Sequence, residues 1–168
     1  PIDAIRTAFV TSGEFTIEAW VRPENITQGG PARILTIAEE TNSQNVLLGQ
    51  DAETYEAGIR RIGSDTGSPL FNSAASSVTT SLQHVVLTRH PDGTAQLWVD
   101  GVASNGPEDT AGDLSNWDAA FRLYVGNAQT DDRPWHGEFH LIAMYSRALS
   151  QAAIERHHRI GPRRVAAP

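Results

Sequence analysis

Apolar side chains at every second position constrain this chain more than any other feature. In Phe15-Thr16-Ile17-Glu18-Ala19-Trp20-Val21-Arg22-Pro23, the residues Phe15, Ile17, Ala19 and Val21 share one face, and Thr16, Glu18, Trp20 and Arg22 share the other. Side chains alternate sides along a strand, so this stretch reads as a half-buried strand. Pro23 ends it, because proline has no N–H to give a ladder. Residues 33–38 and 45–49 are shorter strands parted by the polar turn 39–44, and 55–62 is another. His84–His90 is apolar and β-branched. Pro91-Asp92-Gly93-Thr94 turns the chain, and Ala95–Val99 returns to a second tight turn at Asp100-Gly101. Asp-Gly supplies the positive-φ positions that hairpins need, so both aspartates read as turn residues rather than catalytic acids.

The polar stretch 103–120 reads as a loop, 121–126 as a strand and 127–134 as a second loop. Residues 135–145 form a long strand. Strict alternation puts Phe139, Leu141, Ala143 and Tyr145 on one face, and His136, Glu138, His140, Ile142 and Met144 on the other. Ser150 can cap a short helix over 151–158, which Gly161-Pro162 stops. Short strands, frequent turns and one terminal helix predict an all-β fold, a sandwich or jelly roll. A length of 168 residues suits one domain, taken as 1–160, followed by a basic tail at 161–168.

Composition removes several functions. No apolar run approaches the roughly 18 residues of a membrane span. There is no cysteine, which excludes disulfides, thiolate metal sites and cysteine nucleophiles. All 13 basic residues are arginine, and the net charge is −7. Nucleic-acid binders need a basic surface that releases counterions, so that class is set aside. Arg156, Arg159, Arg163 and Arg164, with His157 and His158, make a basic terminus that is either solvated or a docking patch.

Five segments, in order, resemble laminin-G-like domains of the concanavalin A-like lectin and glucanase superfamily, of the bacterial type. They are Gly13–Pro23, the hairpin His84–Gly101, Leu123-Tyr124-Val125-Gly126-Asn127, Trp135-His136-Gly137-Glu138-Phe139 and Tyr145-Ser146-Arg147-Ala148-Leu149-Ser150. The resemblance implies a jelly roll of two curved antiparallel sheets packed face to face, in an extracytoplasmic setting. Two departures stand out. Relatives begin with a further strand that lies beside the C-terminal one. Here only about a dozen residues precede Phe15, so that strand is short or absent, and an edge is left exposed or covered by another chain. Many relatives also place an aspartate that helps hold calcium where this chain has His140.

The chemistry is sparse. Glucanases of the superfamily carry a Glu-x-Asp-x-x-Glu strand that sets two carboxylates astride a glycosidic bond. No such segment exists here, nor a G-x-S-x-G elbow, an H-E-x-x-H pair or a phosphate-binding glycine loop. His136, Glu138 and His140 share a strand face, yet three residues along a flat strand converge poorly on a metal. Asn127, Asp131 and Asp132 are hard oxygen ligands that suit calcium. Trp20 and Trp98 lie on the polar-patterned strand faces, where rings stack on sugars if open, or form a second small core if covered. The expectation is therefore a non-enzymatic recognition module that binds a glycan through Trp20, Arg22, Gln96, Trp98 and His140. The alternative is a scaffold subunit docking on partner proteins in a larger assembly, and the third reading is a glycoside hydrolase.

Overall fold

The computed structural model describes residues 2–162. The chain runs α1 (Ile2–Ser12), β1 (Phe15–Pro23), β2 (Ala32–Glu40), β3 (Ser43–Asp51), β4 (Thr54–Ile59), β5 (Phe71–Asn72), β6 (Gln83–Arg89), β7 (Thr94–Val99), β8 (Val102–Asp109), β9 (Arg122–Val125), β10 (Gly137–Tyr145) and α2 (Gln151–Ile160). Ten strands form two five-stranded sheets. One has the order β10-β1-β6-β7-β8 and the other β5-β4-β3-β2-β9. Every strand pairing is antiparallel. Arg163 and Arg164 of the expected basic tail lie outside the described residues.

The period-two pattern does what it predicts. Phe15, Ile17, Ala19 and Val21 of β1 meet Ile34, Leu35, Val46, Leu48 and Ala57 of the facing sheet in one core. Positive φ angles at Gly93 (91°), Asp100 (52°) and Gly101 (82°) make the two hairpin turns. Ser150 caps α2 by accepting from the Ala153 N–H, and Gly161, at φ 76°, ends the helix.

Four details depart from the sequence expectation. Residues 2–12 are helical, because Ile2, Ile5 and Phe9 recur at helical spacing. Phe9 stacks on Phe15 with ring centroids 4.9 Å apart and meets the edge of Trp117, so α1 packs into the core of the sandwich. Residues 102–109 are a strand rather than a loop. Their backbone pairs with β7 while most side chains stay in water, so no apolar alternation announces them. The strand expected over 55–62 ends at Ile59. Finally, a bulge breaks the alternation of β10. Trp20 pairs with Leu141, whereas Val21 pairs with Phe139, leaving His140 as the extra residue. Ile142 and Met144 consequently pack on the core, and His136, Glu138, His140, Ile142 and Met144 do not share one face.

Among the described residues no strand pairs with the outer side of β10, so the sheet ends in a free edge there. Phe139 and Leu141, 39% and 38% exposed, stand on it. The other face of the same sheet is closed by α2. Leu149 and Ile154 press on Val86 and Trp98 as a second small core. The approach to α2 is pinned to β1. Leu149 N–H donates to Thr16 Oγ1 (2.9 Å), Thr16 Oγ1 donates to the Arg147 carbonyl (2.8 Å), and Ala148 N–H donates to Glu14 (2.9 Å).

Candidate functional site

The five residues expected at a ligand face are split by this arrangement. Trp20 lies under α2, stacked on His84 at 4.7 Å and on His158 at 5.8 Å. Trp98 is 8% exposed and donates its indole N–H to Thr88 Oγ1 (3.0 Å). Gln96 is also buried, donating to the carbonyls of Leu97 (2.7 Å) and Ser104 (3.1 Å). The helix thus closes the aromatic face that the pattern left open. Arg22 and His140 remain in water. Both reach Glu138, Arg22 at 3.6 Å and His140 at 3.1 Å.

The register explains the meeting. Arg22 sits directly opposite Glu138, and Pro23 opposite Gly137, where β1 ends and β10 begins. Cross-strand partners share a face, so the guanidinium and the carboxylate come together. Around them opens a cleft of about 420 Å³, lined by Arg22, Pro23, Glu24, Trp135, His136, Gly137 and Glu138. That volume lies in the range of small-ligand sites.

Two buried amides hold the floor. Gln28 Oε1 accepts from the His136 N–H (2.6 Å), and Gln28 Nε2 donates to the His136 carbonyl (2.8 Å). Gln28 Nε2 also reaches Gln50 Oε1 (3.3 Å), which accepts from the Trp135 indole N–H (2.9 Å). Gln50 Nε2 in turn donates to the carbonyls of Asn25 (2.9 Å) and Ala52 (3.0 Å). Trp135 is thereby fixed against Gly137, where a Cβ would lie 2.3 Å from the indole and 2.4 Å from the Arg22 carbonyl. Only glycine lets the strand pass so close to the ring. Gln28 and Gln50 carried no local signal in the sequence, since their partners are far along the chain. A glutamine beside an apolar strand was the only hint.

The calcium candidates fare differently. Asn127 Oδ1 accepts from the backbone of Ala128 (2.8 Å) and Arg133 (3.1 Å), and its amide donates to Asp131. Asp132 accepts from Thr41 (2.8 Å) and Thr130, and the Arg133 guanidinium lies 3.4 Å away. The hydroxyls of Thr130 and Thr41 hold the Asp132 carboxyl below its usual range. These oxygens are engaged by donors of the loop and its neighbours, with a cation beside them, and the donor set does not fit a calcium ion. Among the described residues no three of His, Asp and Glu are arranged to hold a metal.

A second polar cluster lies beneath α2. The Glu18 carboxylate, on β1, takes hydrogen bonds from His84 (3.0 Å), His157 (3.0 Å) and the Tyr145 hydroxyl (3.0 Å). The helix itself supplies His157, so this cluster fastens α2 to the sheet.

The family model for the concanavalin A-like lectin/glucanases superfamily matches residues 3–155. The chain belongs to that superfamily. Solved superfamily-like structures agree with the fold. The carbohydrate-binding module CBM40 of the Ruminococcus gnavus IT-sialidase, bound to α2,3-sialyllactose, superposes with a TM-score of 0.68 at 16% identity, over 84% of this chain and 80% of its own. A candidate carbohydrate binding protein from Bacteroides ovatus gives 0.61 at 16% identity, over 88% of this chain and 41% of its own. The binding domain of botulinum neurotoxin DC, in complex with rat synaptotagmin II, gives 0.60 at 13% identity, over 90% and 36%. The superfamily domain seen here therefore spans less than half the length of the last two proteins. At such identities the likeness speaks for the fold alone. No functionally curated protein matches the chain in sequence.

Proposed function

We propose that this superfamily domain is a non-catalytic recognition module that binds a glycan in the cleft between the ends of β1 and β10, in an extracytoplasmic setting. One observation carries the reading. A preformed cleft, closed below by the buried Trp135, opens a rim of Arg22, Glu24, His136 and Glu138 that offers both donors and acceptors. Sugars present many hydroxyls, and a cleft rimmed by such donors and acceptors complements them. Rigid support from Gln28 and Gln50 lowers the ordering cost of binding. The solved neighbours named for carbohydrate binding favour the same class of ligand. No cleavage is proposed, because Glu138 is committed to Arg22 and His140 and Glu18 is sealed under α2.

The test is a glycan screen on the folded protein, repeated with Arg22→Ala and His136→Ala. Saturable binding that both substitutions weaken at least tenfold supports the reading. Binding that neither variant alters places the ligand elsewhere, and release of sugar product makes the domain a hydrolase. The free β10 edge, with Phe139 and Leu141 exposed, favours a second reading as a protein-docking subunit. Co-purification in a defined complex, lost on Leu141→Lys, supports that one.

A further inference from the structure

The charges of the cleft narrow the ligand class, on the premise that a glycan binds there. Among the described residues its lining holds one fixed cation, Arg22, and two carboxylates, Glu24 and Glu138. Arg22 does not face an incoming ligand as a free guanidinium. Glu138 sits opposite it in the ladder and neutralises it at 3.6 Å, with both side chains still wet, 46% and 60% exposed. His140 closes on the same carboxylate from the bulge. No other arginine lines the cleft, and Glu24 has no salt-bridge partner among the described residues. The net charge of the whole chain, −7, points the same way.

We infer that the cleft selects uncharged glycans over sialylated or uronate-bearing ones, and that Glu138 sets this preference by occupying Arg22. A carboxylate ligand entering beside Glu24 and Glu138 would meet an excess of like charge. One unit of excess charge about 7 Å away, screened by water, disfavours it by about threefold. Replacing Glu138 with glutamine keeps the shape of the rim, frees the guanidinium and cancels the local excess of negative charge. Arg22 then presents two parallel N–H groups to a ligand carboxylate, the geometry arginine offers best. The pair is exposed and contributes little to stability, so the variant keeps its fold.

The experiment compares neutral oligosaccharides with matched sialylated and uronate-bearing ones on the wild-type chain, Glu138→Gln and the double variant Glu138→Gln with Arg22→Ala. Titrations are run at pH 8, above the ordinary range of histidine, in low salt. The expected result is at least a threefold wild-type preference for the neutral ligands. Glu138→Gln then gains acidic-glycan affinity about tenfold, and the double variant loses that gain. A wild-type preference for acidic glycans that Arg22→Ala removes overturns the inference and leaves the glycan reading standing. So does a Glu138→Gln variant with an unshifted ratio and an unchanged melting temperature. Failure of every glycan to bind the folded protein overturns the glycan reading itself.

Discussion

His84 Nε2 donates a 3.0 Å hydrogen bond to Glu18 Oε1, and the two side chains are 0% and 3% exposed. A buried carboxylate without an arginine partner is costly unless donors surround it. Here the donors come from three elements: β6 through His84, the end of β10 through Tyr145, and α2 through His157. Burial alone raises the Glu18 pKa, and the bonds and charges of His84 and His157 outweigh that and hold it below its ordinary value. Burial and the nearby Glu18 push the Tyr145 hydroxyl up to about 12, so it stays a donor.

A carboxyl with a depressed folded pKa stabilises the fold above its unfolded value and ceases to do so as pH falls through the folded one. Glu18→Gln sets an amide donor against the imidazole N–H groups, and is expected to cost about 1–3 kcal/mol at pH 7. Urea unfolding of both proteins between pH 3 and pH 7 checks it. The wild-type advantage shrinks as pH falls below about 4.3, the ordinary glutamate value. An advantage that persists undiminished at pH 3 refutes the assignment.

Trp98 separates structure from binding. It fills the space between β7 and α2 with Leu149 and Ile154. Trp98→Ala should lower stability by about 3–5 kcal/mol, as large core truncations do. Ligand affinity measured on the folded fraction should not change. A loss of affinity at unchanged stability would return the site to the face beneath α2.

Gly137→Ala places a methyl against Trp135 and the Arg22 carbonyl. The strand and ring must part, at a cost of about 1–3 kcal/mol by analogy with overpacked cores. Thermal melts should show the loss, and binding in the cleft should vanish with it. An alanine variant that melts and binds as the wild type does would mean that the strand and ring yield without cost.

Gln28→Leu removes the amide that grips both sides of the His136 peptide. The buried groups left unpaired are expected to cost about 1–3 kcal/mol. Affinity for the cleft ligand should also fall by about tenfold, because the rim loses its support. Calorimetric titration beside a melting curve tells the two effects apart.

Most of the framework was legible in the sequence because it rests on local rules. Alternation marked β1, and Asp-Gly pairs marked the turns around β7. Ser150 and Gly161 bracketed α2. The errors came from non-local causes. Strand β8 exists through the backbone of β7, and Gly106 and Pro107 within it looked like loop. The faces of β10 turned on a bulge at His140, which one extra residue creates and no composition announces. The reading of Trp20 and Trp98 as a ligand face assigned each strand correctly but could not see that α2 folds back over them. Of the five expected ligand residues, Arg22 lines the cleft and His140 stands beside it on Glu138. Glu138 as their shared partner, and Gln28 and Gln50 as support, depend on contacts between distant parts of the chain.

The bulge at His140 has a consequence for how these molecules behave in a crowd. A flat unpaired strand is a template on which identical chains can stack without limit. Strand β10 carries a bulge at His140, and Glu138 and His140 stand beside Phe139 and Leu141. A second copy laid along it would meet the extra residue at His140 and fall out of step there. An edge interrupted in this way offers only short unbroken stretches for another strand to pair with.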